Sequence, residues 1–443
     1  MSLSWGYGSR AGTQAYIFAA SMPIFTIVSA LIAVVALSGY ANSKLVRLPD
    51  TVGITAVALI ISIVTVAVGA LVPAVAGFGQ RAISGIDFPD LVFHGLLGLL
   101  LFAGSLHCDV AGLARARWVV IVLATVGVAL STALVGYAFY FASNFLGVHL
   151  SLIDSLLFGA LISPTDPIAA LGLLGKARVP QSLLAKITGE ALFNDGTGVV
   201  VFVVLLDVAR GATPPHAGAL AVLFAQQVLG GIGFGLGVGW LGVLLLRTVD
   251  SYAVETLITL AMATAGYAAA QALRISAPIA TVVMGLIVGR YGRAHAMSEL
   301  TRDRLFMFWQ LTDDLLNLVL FGLMGLELTA LALSVREFIV PALVALPIVL
   351  LARYVSVGVP IAVLSRFRRF EPHIVKLMTW AGLRGALSVA LALSLPGGEA
   401  RELIVTATYV VAIFSILVQA TTVEPLARRW AGDAAAGATD RSG

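Results

Sequence analysis

Three carboxylates stand in sequence that is otherwise apolar. Asp166, Glu190 and Asp195 fall in residues 163–198 of a 443-residue chain (SPTDPIAALGLLGKARVPQSLLAKITGEALFNDGTG), with Thr165 and Asn194 beside them. A carboxyl group inside a bilayer costs several kcal/mol, so intramembrane acids mark ion pathways and proton relays. Asp195 takes the central role: deprotonated it binds a cation, protonated it is neutral. Burial and a neighbouring cation push its proton affinity in opposite directions, so proton and metal compete for one site. Hard cations favour oxygen ligands, and Asp195, Glu190, Thr165 and backbone carbonyls can supply them. Asn194 is neutral and both donates and accepts, so it can hold the local backbone or orient Asp195.

The elements that position these groups follow from the prolines. Pro164 and Pro167 each remove a backbone N–H and disfavour α geometry in the residue before them, so the helix carrying Thr165 and Asp166 breaks there. Backbone groups freed by such a break are tolerable in a membrane only where protein or a water-filled cavity satisfies them. Opposed half-helix ends beside acidic side chains recur at the ion sites of secondary transporters. Glu190 and Asp195, five residues apart on the next helix, point about 140° away from each other and flank it. Asp166 approaches the same cavity from the side. Arg384, between Gly382 and Gly385, is the matching positive charge, and Glu190 is its expected ion-pair partner, because a buried Arg needs one. Arg353 is the other intramembrane base. Asp313, Asp314, Asn317 and Glu327 read as helix ends or packing contacts.

Composition makes the chain an all-α polytopic membrane protein. It is 59% hydrophobic and 11% charged, with a mean hydropathy of +1.00. About thirteen apolar windows of bilayer length recur, near 20–38, 52–74, 88–106, 118–142, 152–172, 181–206, 218–246, 251–272, 275–291, 303–330, 337–364, 373–395 and 401–424. Loop charges orient them. With the N-terminus outside, the outer side holds only Arg10, Arg81, Arg210, Arg274, Arg336 and Arg401 of the 27 Lys and Arg residues. Nearly all the others, from Lys44 and Arg47 to Arg428, Arg429 and Arg441, fall inside, where the positive-inside rule places them. The first span, with basic residues on its far flank, reads as retained and not as a cleaved signal. The lone Cys108 excludes an intramolecular disulfide, and the net charge of +4 reflects topology, not nucleic-acid binding.

The formal GxGxxG at 237–242 follows no strand and lies within an apolar span, so it is no dinucleotide loop. Its glycines, with Gly230, Gly231, Gly233 and Gly235, let neighbouring helices approach closely. The six histidines are scattered without metal-ligand spacing. No nucleophile triad, phosphate loop or HExxH occurs, and the sequence reads as a transporter needing no cofactor, not as an enzyme. Residues 427–443 form a short tail.

At these residues the chain resembles the sodium/proton exchanger family of monovalent cation:proton antiporters. The resemblance rests on residues 159–167 (GALISPTDP), 189–196 (GEALFNDG), 285–292 (GLIVGRYG) and 380–396 (WAGLRGALSVALALSLP). It implies that Asp195 carries ion and proton, with Asn194 its neighbour, Thr165, Asp166 and Pro167 marking the unwound helix, and Glu190 paired with Arg384. An Asn-Asp pair implies electroneutral exchange of one cation for one proton. Ala191 departs from the Ser of many relatives, which leaves sodium, lithium and potassium open as cargo. The implied fold is an inverted repeat with two broken crossing helices. Residues 118–206 and 337–426 would form a mobile core, and 1–117 and 207–336 the dimer side of a homodimer in the cell inner membrane. A potassium/proton antiporter of the same fold, an ion-coupled symporter of an organic solute and a cation channel are the alternatives. A clustered site with a basic partner argues against the channel, and the small polar pocket against the symporter.

Overall fold

Apolar segments that find no water for their N–H and C=O groups must satisfy those groups internally, and here they do so as helices. The structure is a computed structural model that describes residues 24–71, 87–166, 174, 179–211, 217–292, 296–331 and 335–439. Among these residues there is no strand, and each expected span meets a helix. In chain order they are α1 (Ile24–Ala41), α2 (Asp50–Leu71), α3 (Phe88–Leu106), α4 (Val110–Phe145), α5 (Leu152–Ile162), α6 (Gln181–Ala209) and α7 (Ala217–Leu246). Then follow α8 (Tyr252–Ala272), α9 (Ala277–Gly292), α10 (Glu299–Leu331) and α11 (Val335–Leu364). The twelfth is split into α12a (Ile374–Trp380) and α12b (Ala386–Leu393), and α13 begins at Glu399.

Local chemistry fixes several starts. Asp87 accepts from the Asp90 N–H with Pro89 in the first turn, Asp109 accepts from Ala111 N–H, and Ser276 accepts from Ile279 N–H ahead of Pro278. Each cap satisfies one of the donors that a helix start leaves free. Two boundaries differ from the hydropathy reading. α4 starts at Val110, not near 118, because the Asp109 cap draws Arg115 and Arg117 into the helix. The last helix does not stop at 424 but continues to Thr439, since its Ala-rich end favours helix. Pro167, the 167–172 end of the fifth span, Arg10, Arg81, Lys176, Arg178, Arg293, His216, His295 and Arg441 lie outside the described residues.

The glycines of α7 do what close packing asks. A Cβ on Gly231 would lie 2.7 Å from the Ser276 carbonyl oxygen, and one on Gly235 2.5 Å from that of Ala280, so α7 and α9 touch backbone to backbone there. Gly233 and Gly237 face open space instead. α5 packs on α4 and α6, α11 on α4 and α13, and α12b on α5 and α13. α2 packs on α10, and α9 on α3, α7 and α8. The two breaks, after α5 and between α12a and α12b, meet at one point. There the Asp166 N–H donates to the Leu383 carbonyl at 2.9 Å as an isolated antiparallel bridge. The two expected breaks therefore meet, and the half of the first helix beyond Asp166 lies outside the described residues.

Candidate functional site

The prolines set up the first half of the site. α5 stops at Ile162, and residues 163–166 lie outside the helix, with their carbonyls open to side-chain donors. The Ser163 and Pro164 carbonyls accept from Arg384 Nη1, at 2.6 and 2.8 Å. A guanidinium at the carbonyl end of a half-helix neutralises the partial negative charge gathered there. Arg384 is itself held by the second break: its backbone N–H donates to Ser415 Oγ at 2.8 Å. Ser415 opens a π-helical stretch of α13, Ser415–Gln419. A second π stretch, Leu123–Gly127 in α4, contains the Ala124 carbonyl that accepts from Thr197 Oγ1 on α6 at 2.5 Å. Such stretches free backbone groups for tertiary use.

Asn194 closes the frame from α6. Its Nδ2 donates to Thr165 Oγ1 and to Glu190 Oε1, both at 2.7 Å, and its Oδ1 accepts from the Thr165 N–H at 3.3 Å. Of the two roles the sequence allowed, holding the broken backbone is the one the geometry supplies. Thr165 and Asn194 are fully buried behind the cavity wall.

The expected Glu190–Arg384 pair is corrected. Glu190 is bound by Arg353 of α11 in a two-pronged ion pair, Nη1 to Oε1 and Nη2 to Oε2, each 2.8 Å. Arg384 goes to the carbonyls of the α5 break because its own break in α12 meets that one, at the Asp166–Leu383 bridge, whereas α11 brings Arg353 against α6. Gly382 makes room, since a Cβ there would lie 2.8 Å from Arg353 Nε. Both Glu190 oxygens are engaged, Oε1 twice, so the expected part of Glu190 as a cation ligand would cost this pair. The freed carbonyls at 163 and 164 are likewise taken, by Arg384.

Asp195 stands apart. Among the described residues no group donates to it and no base pairs with it. It is half-buried and lines a cavity of about 350 Å³ together with Asp166, Pro164, Gly385 and Ser388. Gly385 is required for this shape, since a Cβ there would lie 2.5 Å from Asp166 Oδ2. The cavity runs to the ends of α3 and α6, where His107, Cys108, Asp109 and Gln181 line it. Near that end burial, with the Asp109 charge second, pushes the Cys108 thiol up to about 11. Two cavity residues that the sequence reading put down to packing, Asp313 and Asn317 of α10, line the same space. Their i, i+4 spacing, which puts both on one helix face, was the available signal. Among the described residues no three Asp, Glu, His or Cys side chains are grouped to hold a resident metal.

The chain has relatives across nearly its whole length. A family model described as sodium/hydrogen exchanger, transmembrane, matches residues 30–429. The chain is 44% identical over 409 residues to the Na(+)/H(+) antiporter NhaP of Pseudomonas aeruginosa, which covers 91% of this chain and 96% of that protein. It is 30% identical over 405 residues to the Na(+)/H(+) antiporter NhaH of Halobacillus dabanensis, with 90% and 96% covered. Its fold is similar to that of the sodium proton antiporter MjNhaP1 from Methanocaldococcus jannaschii at pH 8. That match has a TM-score of 0.71 at 16% identity and covers 92% of this chain and 99% of that one. With this family match over most of its length, the chain belongs to the sodium/hydrogen exchanger family.

Proposed function

We propose that this chain is a sodium/proton antiporter in which Asp195 is the exchange site. The observation that carries the reading is the contrast within the site: Asn194 ties Thr165 to Glu190, Arg353 holds Glu190 and Arg384 holds the Ser163 and Pro164 carbonyls, while Asp195 meets the cavity and no described group donates to it. A carboxylate so placed is neutralised by one Na+ or by one proton. Two such loadings at one site give one-for-one, electroneutral exchange. Asp166, which lines the same cavity, completes the oxygen environment, and Glu190 and Arg353 are scaffold.

The distribution of Lys and Arg supports a multi-pass protein of the cell inner membrane with the C-terminus in the cytoplasm. In that orientation the end lined by His107, Cys108 and Asp109 is cytoplasmic, and the conformation described is inward-facing. Alternating access then requires α4–α6 and α11–α13 to move as a core against α1–α3 and α7–α10, the latter forming the dimer side. No cofactor enters the scheme.

The test is dissipation of a pH gradient in proteoliposomes by Na+, Li+ and K+ in turn, with the membrane potential clamped, for wild type and Asp195→Asn. Na+ is expected to dissipate the gradient in wild type and not in Asp195→Asn, irrespective of the clamp. A response to K+ alone would move the cargo, and activity surviving in Asp195→Asn would remove Asp195 from the mechanism.

A further inference from the structure

Asp313 and Asn317 lie one turn apart on α10, outside both broken helices, and both line the cavity that holds Asp166 and Asp195. Neither ends a helix, for α10 runs unbroken from Glu299 to Leu331. Asn317 is 2% exposed. Its Nδ2 donates to the Asp313 carbonyl at 2.7 Å and to Asp313 Oδ1 at 3.1 Å, which fixes which end of the amide is oxygen. That oxygen, Oδ1, is buried and has no donor. A buried acceptor without a partner is costly, and a cation or a water in its shell satisfies it. Asp313 makes no ion pair among the described residues. Among the described residues the cavity is lined by Asp109, Asp166, Asp195 and Asp313, and by no Lys or Arg. A cleft of one sign with low-dielectric walls concentrates counter-ions.

We propose that Asp313 and Asn317 form a second cation-binding station, which takes up the monovalent cation in the cavity and hands it to Asp195. The station offers what a partly dehydrated hard cation needs, a carboxylate with an amide oxygen one turn away. Because α10 lies outside the broken-helix pair, the station fills from the cytoplasmic side before the cation reaches Asp195. The inference rests on the reading of Asp195 as the exchange site.

The experiment uses everted membrane vesicles of a bacterial host lacking its own sodium/proton antiporters, so that added Na+ meets the cytoplasmic side. Ionic strength is held constant with choline. Asp313→Asn is expected to raise the Na+ concentration for half-maximal dissipation of the pH gradient about tenfold, with the maximal rate unchanged. Asp313→Glu restores it, Asn317→Leu raises it and Asn317→Asp lowers it. Asp314→Asn removes the same charge from the exposed neighbouring position, which does not line the cavity, and leaves it unchanged. The Na+-dependent rise in melting temperature of the purified protein should move in parallel. A half-maximal concentration that stays at the wild-type value in Asp313→Asn, or that shifts equally in Asp314→Asn, overturns the station and leaves Asp195 untouched. If Asp313→Asn does not fold, an unchanged value in Asn317→Asp overturns it. A wild type without any Na+ response overturns the underlying reading, and the station with it.

Discussion

Glu190 and Asp195 are two carboxylates on one helix, five residues apart, in the same apolar sequence, and they meet opposite surroundings. Glu190 faces α11 and is saturated: two hydrogen bonds from Arg353 and one from Asn194 leave neither oxygen free. Asp195, about 140° further round α6, faces the cavity, and no described group donates to it. Acidity inside a membrane is therefore not one signal but two. An acid whose lone pairs are filled by protein is held as part of the frame, and one whose lone pairs are left for solvent and solute is the one the proposed exchange uses. The buried base that completes the first kind is what keeps the second kind in place.

The contrast breaks most visibly if Arg353 is removed. Arg353→Leu strands a buried Glu190, and the cost of leaving one member of such a pair uncompensated is about 3–5 kcal/mol. The purified variant should lose most of its folded peak on fluorescence-detected size exclusion. The double variant Glu190→Leu with Arg353→Leu should recover much of it, since an apolar replacement of both partners is often neutral. Asp195→Asn, which abandons no partner, should leave the melting temperature near wild type while abolishing exchange. Equal losses of stability at Asp195 and Arg353 would erase the distinction between scaffold and working acid.

Two glycines of the α12 break sharpen it further. A Cβ on Gly382 would strike Arg353 Nε at 2.8 Å, and a Cβ on Gly385 would strike Asp166 Oδ2 at 2.5 Å. Gly385 has ordinary extended angles (φ −108°, ψ −167°), so Ala there is strained only by the contact. Gly382→Ala should act on the scaffold and lower the melting temperature. Gly385→Ala should act on the cavity and slow exchange by about tenfold or more, as displacements of about 1 Å at working groups do. It should change stability less than Gly382→Ala does. A Gly385→Ala protein that transports like wild type would mean that the position of Asp166 is immaterial.

The thirteen spans and the broken pair were legible because the bilayer imposes length on apolar runs and Pro breaks them, both of which are local properties. The gathering of Asp195, Asp166, Asn194 and Thr165 around the first break was legible for a related reason: polar groups in such runs are conspicuous. Partner choice was not legible. Arg353 and Arg384 are both single bases in apolar helices, and nothing within either segment says which one reaches Glu190. That depends on α11 lying against α6 and on the Pro164 break offering Arg384 two carbonyls. That Asp313 and Asn317 line the cavity was not legible, because α10 carries many polar residues and these two did not stand out among them. Only the tertiary approach of α10 to the α12 break, where α10 packs on α12b, turns one of its faces towards the cavity.

One further pair tests how far burial governs these roles. Lys186, one turn before Glu190 on α6, binds Glu371 of the 365–373 loop at 2.5 and 2.7 Å, and Ser182 Oγ adds a bond at 2.6 Å. The side chains are 11% and 19% exposed, against 8% and 2% for Arg353 and Glu190. Burial by itself pushes the Glu371 carboxyl up. The hydrogen bonds from Lys186 and Ser182, with the Lys186 charge, outweigh it and hold the group below its ordinary 4.5. A carboxyl lowered in the folded state stabilises the fold at pH values above its unfolded pKa, and that contribution disappears as pH falls through the folded value. Lys186→Met should therefore lower the melting temperature at pH 7, and the gap from wild type should narrow as pH drops below 4.5. Solvent screening keeps the effect to about 1 kcal/mol or less, the smallest of the changes expected. A gap that stays constant, or widens, as the solution is acidified would show that Lys186 stabilises the loop by packing its stem against Phe370, over whose ring its Nζ lies at 5.4 Å, and not through the charge of Glu371.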